Sequence, residues 1–224
     1  KDEKNGYGFF VGFMILYSYT LLIKRGGWKV KEKTCCFTGH RVLPKSEEDR
    51  NILRDKLHST IAQLAKEGIY RFYTGGARGF DSMAAMAVLE MKAYFPQIQL
   101  YLALPYPQQY EQWPQREIAL FEQIAEHADK VEIISPVYTE DCMKRRNYYM
   151  VDHSCVCVYY MVHSVRSGTA QTVAYARKKN ARLIDLTGDL NAEYLPEEEE
   201  EKLSCIEKIY LEENMVVREF FKKK

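Results

Sequence analysis

Thr74-Gly75-Gly76-Ala77-Arg78-Gly79-Phe80-Asp81 sets three glycines and one acid between an apolar run, Tyr70 to Thr74, and an Ala/Met-rich segment that follows. Backbone N–H groups at a helix N-terminus lack intrahelical acceptors, and the aligned peptide dipoles add partial positive charge. A glycine-rich strand-to-helix turn therefore lets a phosphate oxygen approach closely. The spacing is neither Gly-x-Gly-x-x-Gly nor a P-loop, since no Gly-Lys-Ser/Thr follows it. Two readings stand side by side: an anion cradle, or a tight turn with Asp81 capping or lying in the first helical turn.

Working outward, short apolar runs alternate with longer helical patterns from Lys33 onward. Strands are predicted at Thr34 to Thr38, Tyr70 to Thr74, Ile98 to Leu104, Lys130 to Ile134, Cys155 to Met161 and Arg182 to Leu186. Helices are predicted at Glu47 to Glu67, Gly79 to Tyr94, Pro114 to Ala128, Cys142 to Val151 and Thr169 to Lys179. Ile52, Leu53, Leu57, Ile61 and Leu64 recur at helical spacing and read as core. The alternation predicts an α/β protein: a Rossmann-like open, mostly parallel sheet with helices on both faces, its strands rich in β-branched, aromatic and Cys residues.

Composition narrows the function classes. The 224 residues carry 46% apolar and 13% aromatic content, enough for a full core in one domain with appendages. The net charge is +1, yet residues 1–33 hold seven Lys/Arg against three Asp/Glu, leaving 25 against 28 for the remainder. A slightly acidic globular part argues against a dedicated nucleic-acid binder, which shows a basic excess. Of the six cysteines, Cys35, Cys36, Cys155 and Cys157 sit in apolar strand-like runs and none forms a C-x-x-C pair. Reduced core thiols in a cytoplasmic protein, with no metal, are the expectation.

The chain divides into residues 1–32, an N-terminal extension; 33–189, the Rossmann-like domain; and 190–224, an acidic, amphipathic helical tail. Tyr7 to Ile23 carries no charge and precedes Lys24, Arg25, Lys29, Lys31 and Lys33. That pattern fits a short membrane anchor with a cytoplasmic C-terminal side, or upstream sequence outside the working protein. In the tail, Glu197 to Glu201 lead into Leu203, Ile206, Ile209, Tyr210, Met215 and Val216, a helix that would dock on the domain or on a second subunit.

Open α/β sheets bind ligands beyond the carboxyl ends of their strands. The first strand runs out at Thr38-Gly39-His40-Arg41, the second at the loop containing Gly75, Gly76, Ala77, Gly79 and Asp81, and the fifth before Arg166-Ser167-Gly168-Thr169. Hydroxyls, open backbone and cationic donors there suit phosphate or a base edge. Arg146 and Asn147 enter from the early turns of the fourth crossover helix. Trp113 and Tyr106, in the Pro-broken segment Pro105 to Pro114, either offer an aromatic face to a base or pack on a neighbouring helix or subunit. Asp152 and His153, at that helix's other end, fall at the opposite edge, which excludes them as a catalytic pair.

Taken in order, Cys35-Cys36-Phe37-Thr38-Gly39-His40-Arg41, Tyr73 to Asp81, Arg146-Asn147-Tyr148-Tyr149-Met150-Val151-Asp152-His153-Ser154 and Gly168-Thr169-Ala170 resemble the YpsA-like branch of the SLOG superfamily, named after the DprA and LOG proteins. The resemblance spans roughly Lys33 to Leu186. It implies a domain that binds a nucleotide or nucleotide derivative, with Gly79 and Asp81 at the pocket, in a ligand sensor or regulator. A homodimer is expected by analogy. It also implies two alternatives. One is a LOG-like nucleoside-monophosphate N-glycosidase, for which Asp81 is the best catalytic candidate. Here Ala170, Gln171 and Thr172 stand where LOG proteins carry glutamates, and charge stabilisation or water activation in such a reaction needs a carboxylate. The other is a DprA-like module for single-stranded DNA.

Overall fold

Each apolar run becomes a strand and each periodic segment a helix in the computed structural model, which describes residues 31–162 and 167–188. In chain order these are β1 (Thr34–Gly39), α1 (Glu47–Lys66), β2 (Arg71–Thr74), α2 (Phe80–Met91), β3 (Gln99–Leu104), α3 (Gln115–His127), β4 (Lys130–Ile133), α4 (Cys142–Asp152), β5 (Val156–Tyr160), α5 (Gly168–Lys178) and β6 (Arg182–Asp185). The six strands form one sheet in the order β4-β3-β2-β1-β5-β6, and every neighbouring pair is parallel. The predicted anchor at Tyr7 to Ile23, the acidic tail and Arg166 lie outside the described residues. Among the described residues, no helix is long and apolar enough to cross a membrane.

Local chemistry sets the helix ends. The Ser46 hydroxyl accepts the Asp49 N–H at 3.0 Å, with Glu47, Glu48 and Asp49 filling the first turn of α1 where the dipole favours acids. The predicted third crossover helix starts one residue later than expected because Pro114, lacking an N–H, serves as its N-cap. Gly79 likewise caps α2 instead of beginning it, at φ +72°, a conformation costly for a side chain bearing Cβ.

Two layers of helices cover the sheet. On one face α1, α2 and α3 pack over Phe37, Phe72, Leu100 and Leu102; on the other, α4 and α5 bury Cys36, Tyr73, Ala103 and Cys157 beneath Met150, Val151 and Ala176. Leu53, Leu57, Ile61 and Leu64 are wholly buried, each worth about 1.5–3 kcal/mol relative to exposure. Ile52 departs from the expected core stripe and is 37% exposed, because it lies about 100° around the helix from Leu53. Cover is also incomplete at the β4 edge, where Val131 and Ile133 remain exposed. Cys35, Cys36, Cys142 and Cys157 are buried free thiols, and Cys155 is half-buried. Burial first, then neighbouring thiols, pushes the Cys35 thiol well above its ordinary value.

Candidate functional site

The sheet order reverses at β1, which lies between β2 and β5, so the loops leaving β1 and β5 diverge and open a crevice at their carboxyl ends. Thr38 and Gly39 end β1 in register with Tyr159 and Tyr160 of β5. Thr38 is buried, and Gly39 lies against the Phe80 ring. The next residue, His40, donates its backbone N–H to Tyr160 O and accepts from Phe80 N, both at 3.2 Å, while its ring meets Tyr160 edge-on. The Arg41 carbonyl abuts Gly79, where a Cβ would come within 1.9 Å of it.

The glycine loop after β2 is held from within. Gly76 N–H donates to Thr74 Oγ1 at 3.2 Å, and Gln109 Nε2 donates to Gly76 O at 2.9 Å. Ala77 N–H reaches Asp81 Oδ2 at 3.4 Å, and the Gly75 backbone also favours the charged carboxylate. Arg78 leaves the loop to pair with Glu117 in the first turn of α3. Asp81 is thus a buried acceptor inside the first turn of α2 and not its cap.

Arg146 of α4 reaches the same loop from the other side of the sheet. Its Nη1 is 3.6 Å from Asp81 Oδ2, longer than a hydrogen bond, and both groups are buried. A Cβ on Gly75 would sit 1.5 Å from Nη1 and 2.6 Å from Asp81 Oδ2, so a residue without a side chain is required for this contact. Arg146 Nε and Nη1 are buried without a hydrogen-bond partner. Burial raises the Asp81 carboxyl above the usual range despite the opposing pull of Arg146, the Ala77 and Gly75 amides and Arg41. Desolvation likewise lowers the Arg146 guanidinium against the attraction of Asp81, and the Arg41 charge adds to the lowering.

The next residue, Asn147, opens onto a 420 Å³ cleft between the N-terminal turns of α4 and α5, with Gly168 on its far wall. Ser167 caps α5, its hydroxyl accepting Ala170 N–H at 3.1 Å, and Thr169 is buried in the first turn. Lys144, Asp141 and Gln171 also line this cleft and were not among the residues expected from sequence. Their signal was available in principle, since Lys144 sits one turn before Tyr148 on the helix already assigned to the ligand edge. Gln109 and Glu117, which brace the glycine loop, left no local signature. Trp113 packs edge-on against Phe121 of α3, a neighbouring helix, while Tyr106 meets Tyr138 edge-on in the loop after β4. At the far end of α4, Asp152 binds Tyr175 and Lys179, while His153 Nδ1 contacts Tyr149 O.

The predicted constellation therefore divides into a buried Gly75–Asp81–Arg146 knot and an open cleft carrying Asn147 and Gly168. Both lie at the carboxyl edge of the sheet in a Rossmann-like, all-parallel α/β protein. Residues 35–189 match the YspA SLOG family, and the chain belongs to that family. Among relatives, the SPbeta prophage-derived protein YoqJ of Bacillus subtilis (strain 168) is 32% identical over 141 residues, covering 56% of this chain and 81% of that protein. UPF0398 protein BH1768 of Halalkalibacterium halodurans is 29% identical over 122 residues, covering 53% of this chain and 65% of its own. Among solved structures, DNA processing protein A from Helicobacter pylori, described for its single-stranded DNA binding mode, aligns with a TM-score of 0.52 at 17% identity. That alignment covers 88% of this chain and 84% of the other, a likeness of fold.

Proposed function

We propose that this protein binds a nucleotide or nucleotide derivative at the carboxyl edge of the sheet and acts as a ligand sensor. The observation that carries this reading is the buried Arg146 guanidinium, whose Nε and Nη1 have no hydrogen-bond partner. A buried cation with unmatched donors is costly, and an anionic oxygen from a ligand supplies the missing acceptor. In this reading the phosphate lies toward Arg146 and the start of α5 at Gly168 and Thr169, and Asn147 and Lys144 direct the remainder into the cleft. Asp141 and Glu140 on the same wall suit ribose hydroxyls or base amino groups.

The test is calorimetric titration of the full chain with nucleoside mono-, di- and triphosphates, NAD, ADP-ribose and cyclic nucleotides, each set against its nucleoside. Binding that requires the phosphate and falls at least about tenfold in Arg146→Lys and in Asn147→Ala supports the reading. No binding to a folded chain, or binding untouched by both variants, overturns it. In the same tubes, release of free base abolished by Asp81→Asn would assign hydrolysis in place of sensing.

A further inference from the structure

Six large apolar side chains are exposed among the described residues, and four of them, Val131, Ile133, Val137 and Tyr138, fall in one eight-residue stretch at 43 to 63% exposure. That stretch is the β4 edge and the turn after it. Among the described residues, β4 pairs only with β3. Asp129 N–H points inward to Leu100 O at 2.9 Å. At the other end Ile134 N–H donates to Leu104 O at 2.9 Å, and with Leu102 in register with Val131 and Leu104 with Ile133, Lys130 and Glu132 direct their backbone groups to β3, whereas Val131 and Ile133 direct theirs outward. An edge strand of this kind is a template for another strand.

Charge decides which strand. A lone edge lysine repels a second edge, but here Glu132 follows two residues later on the same face and contacts Lys130 Nζ. Glu132 is further held by Tyr73 and Tyr149 hydroxyls at 2.7 and 3.0 Å, so its position is fixed. We infer that β4 pairs antiparallel with β4 of a second copy of this chain, about a two-fold axis at Val131. In that register Lys130 of each copy faces Glu132 of the other in the non-hydrogen-bonded positions, where opposed side chains stand closer. Val131 meets its own counterpart as a hydrogen-bonded pair, each donating its N–H to the other's carbonyl, about 5.5 Å apart between Cα atoms. On the charged face every Lys then has a Glu both along and across the strands. Moving the axis one residue, to Glu132, sets like charges directly opposite and is disfavoured. The apolar side chains at Val131 and Ile133 lie on the other face, where Val131 packs against its counterpart.

Sedimentation velocity of the full chain over a concentration series reads the dimer. Lys130→Glu and Glu132→Lys should each raise its dissociation constant by about tenfold or more. An equimolar mixture of the two variants should restore the dimer, although the internal Lys130–Glu132 contact is broken in both chains. Val131→Cys, which disturbs none of these charges, should be oxidised by diamide to a covalent dimer, because the expected spacing falls within disulfide reach. The wild-type chain under diamide is the control. A wild-type chain that stays monomeric, a dimer indifferent to both charge reversals, or variants that fail to complement each other would overturn the inference.

Discussion

At the scale of single residues, Gly75 illustrates how a ligand-type motif is also a packing device. Its missing side chain is filled by Arg146 Nη1, so Gly75→Ala should expel the guanidinium and unpair Asp81. Breaking a buried ion pair costs about 3–5 kcal/mol, and urea unfolding should show a loss of that order. Asp81 has a pH signature with a definite sign. Its carboxyl is raised in the folded state by burial above the ordinary 3.8, so the stability it contributes is full below that value and is lost as pH rises through the raised one. The stability difference between wild type and Asp81→Asn should accordingly fall with rising pH across the acid range, then level off. A difference that grows with pH would mean that Arg146 and the loop amides outweigh burial. The sequence made Gly75, Asp81 and Arg146 legible as neighbours of one edge. It did not reveal their mutual burial, because residues 75 and 146 meet only through the crossover that carries α4 to the opposite face.

At the scale of elements, most boundaries were legible because they rest on local chemistry: the Ser46 cap, Pro114 before α3, glycine before α2. What the sequence concealed was coverage. Val131 and Ile133 have the β-branched character of buried strand residues, and only the strand order, with β4 outermost, leaves them exposed. The two serine caps separate stability from binding. Ser46→Ala and Ser167→Ala each remove a hydrogen bond to a helix N-terminus, at about 1 kcal/mol apiece in urea unfolding. The α5 cap alone borders the cleft, so nucleotide affinity should drop in Ser167→Ala and stay level in Ser46→Ala.

At the scale of the whole molecule, the SLOG membership and the Rossmann-like sheet agree with what the residue pattern implied, and all strands proved parallel where mostly parallel was expected. The order β4-β3-β2-β1-β5-β6 also sets a timetable for synthesis. β1 through β4 leave the ribosome first and can assemble into four of the six strands with α1 to α3 on one face. The second long edge of β1 then waits for β5, with Cys35 paired to Val156 and Cys36 to Cys157 across more than a hundred residues of chain. Such non-local pairing is slow. Until it closes, the nascent chain shows a bare strand edge and the Cys36 thiol, both buried in the finished protein. The period of greatest vulnerability to oxidation and aggregation therefore belongs to the half-made molecule.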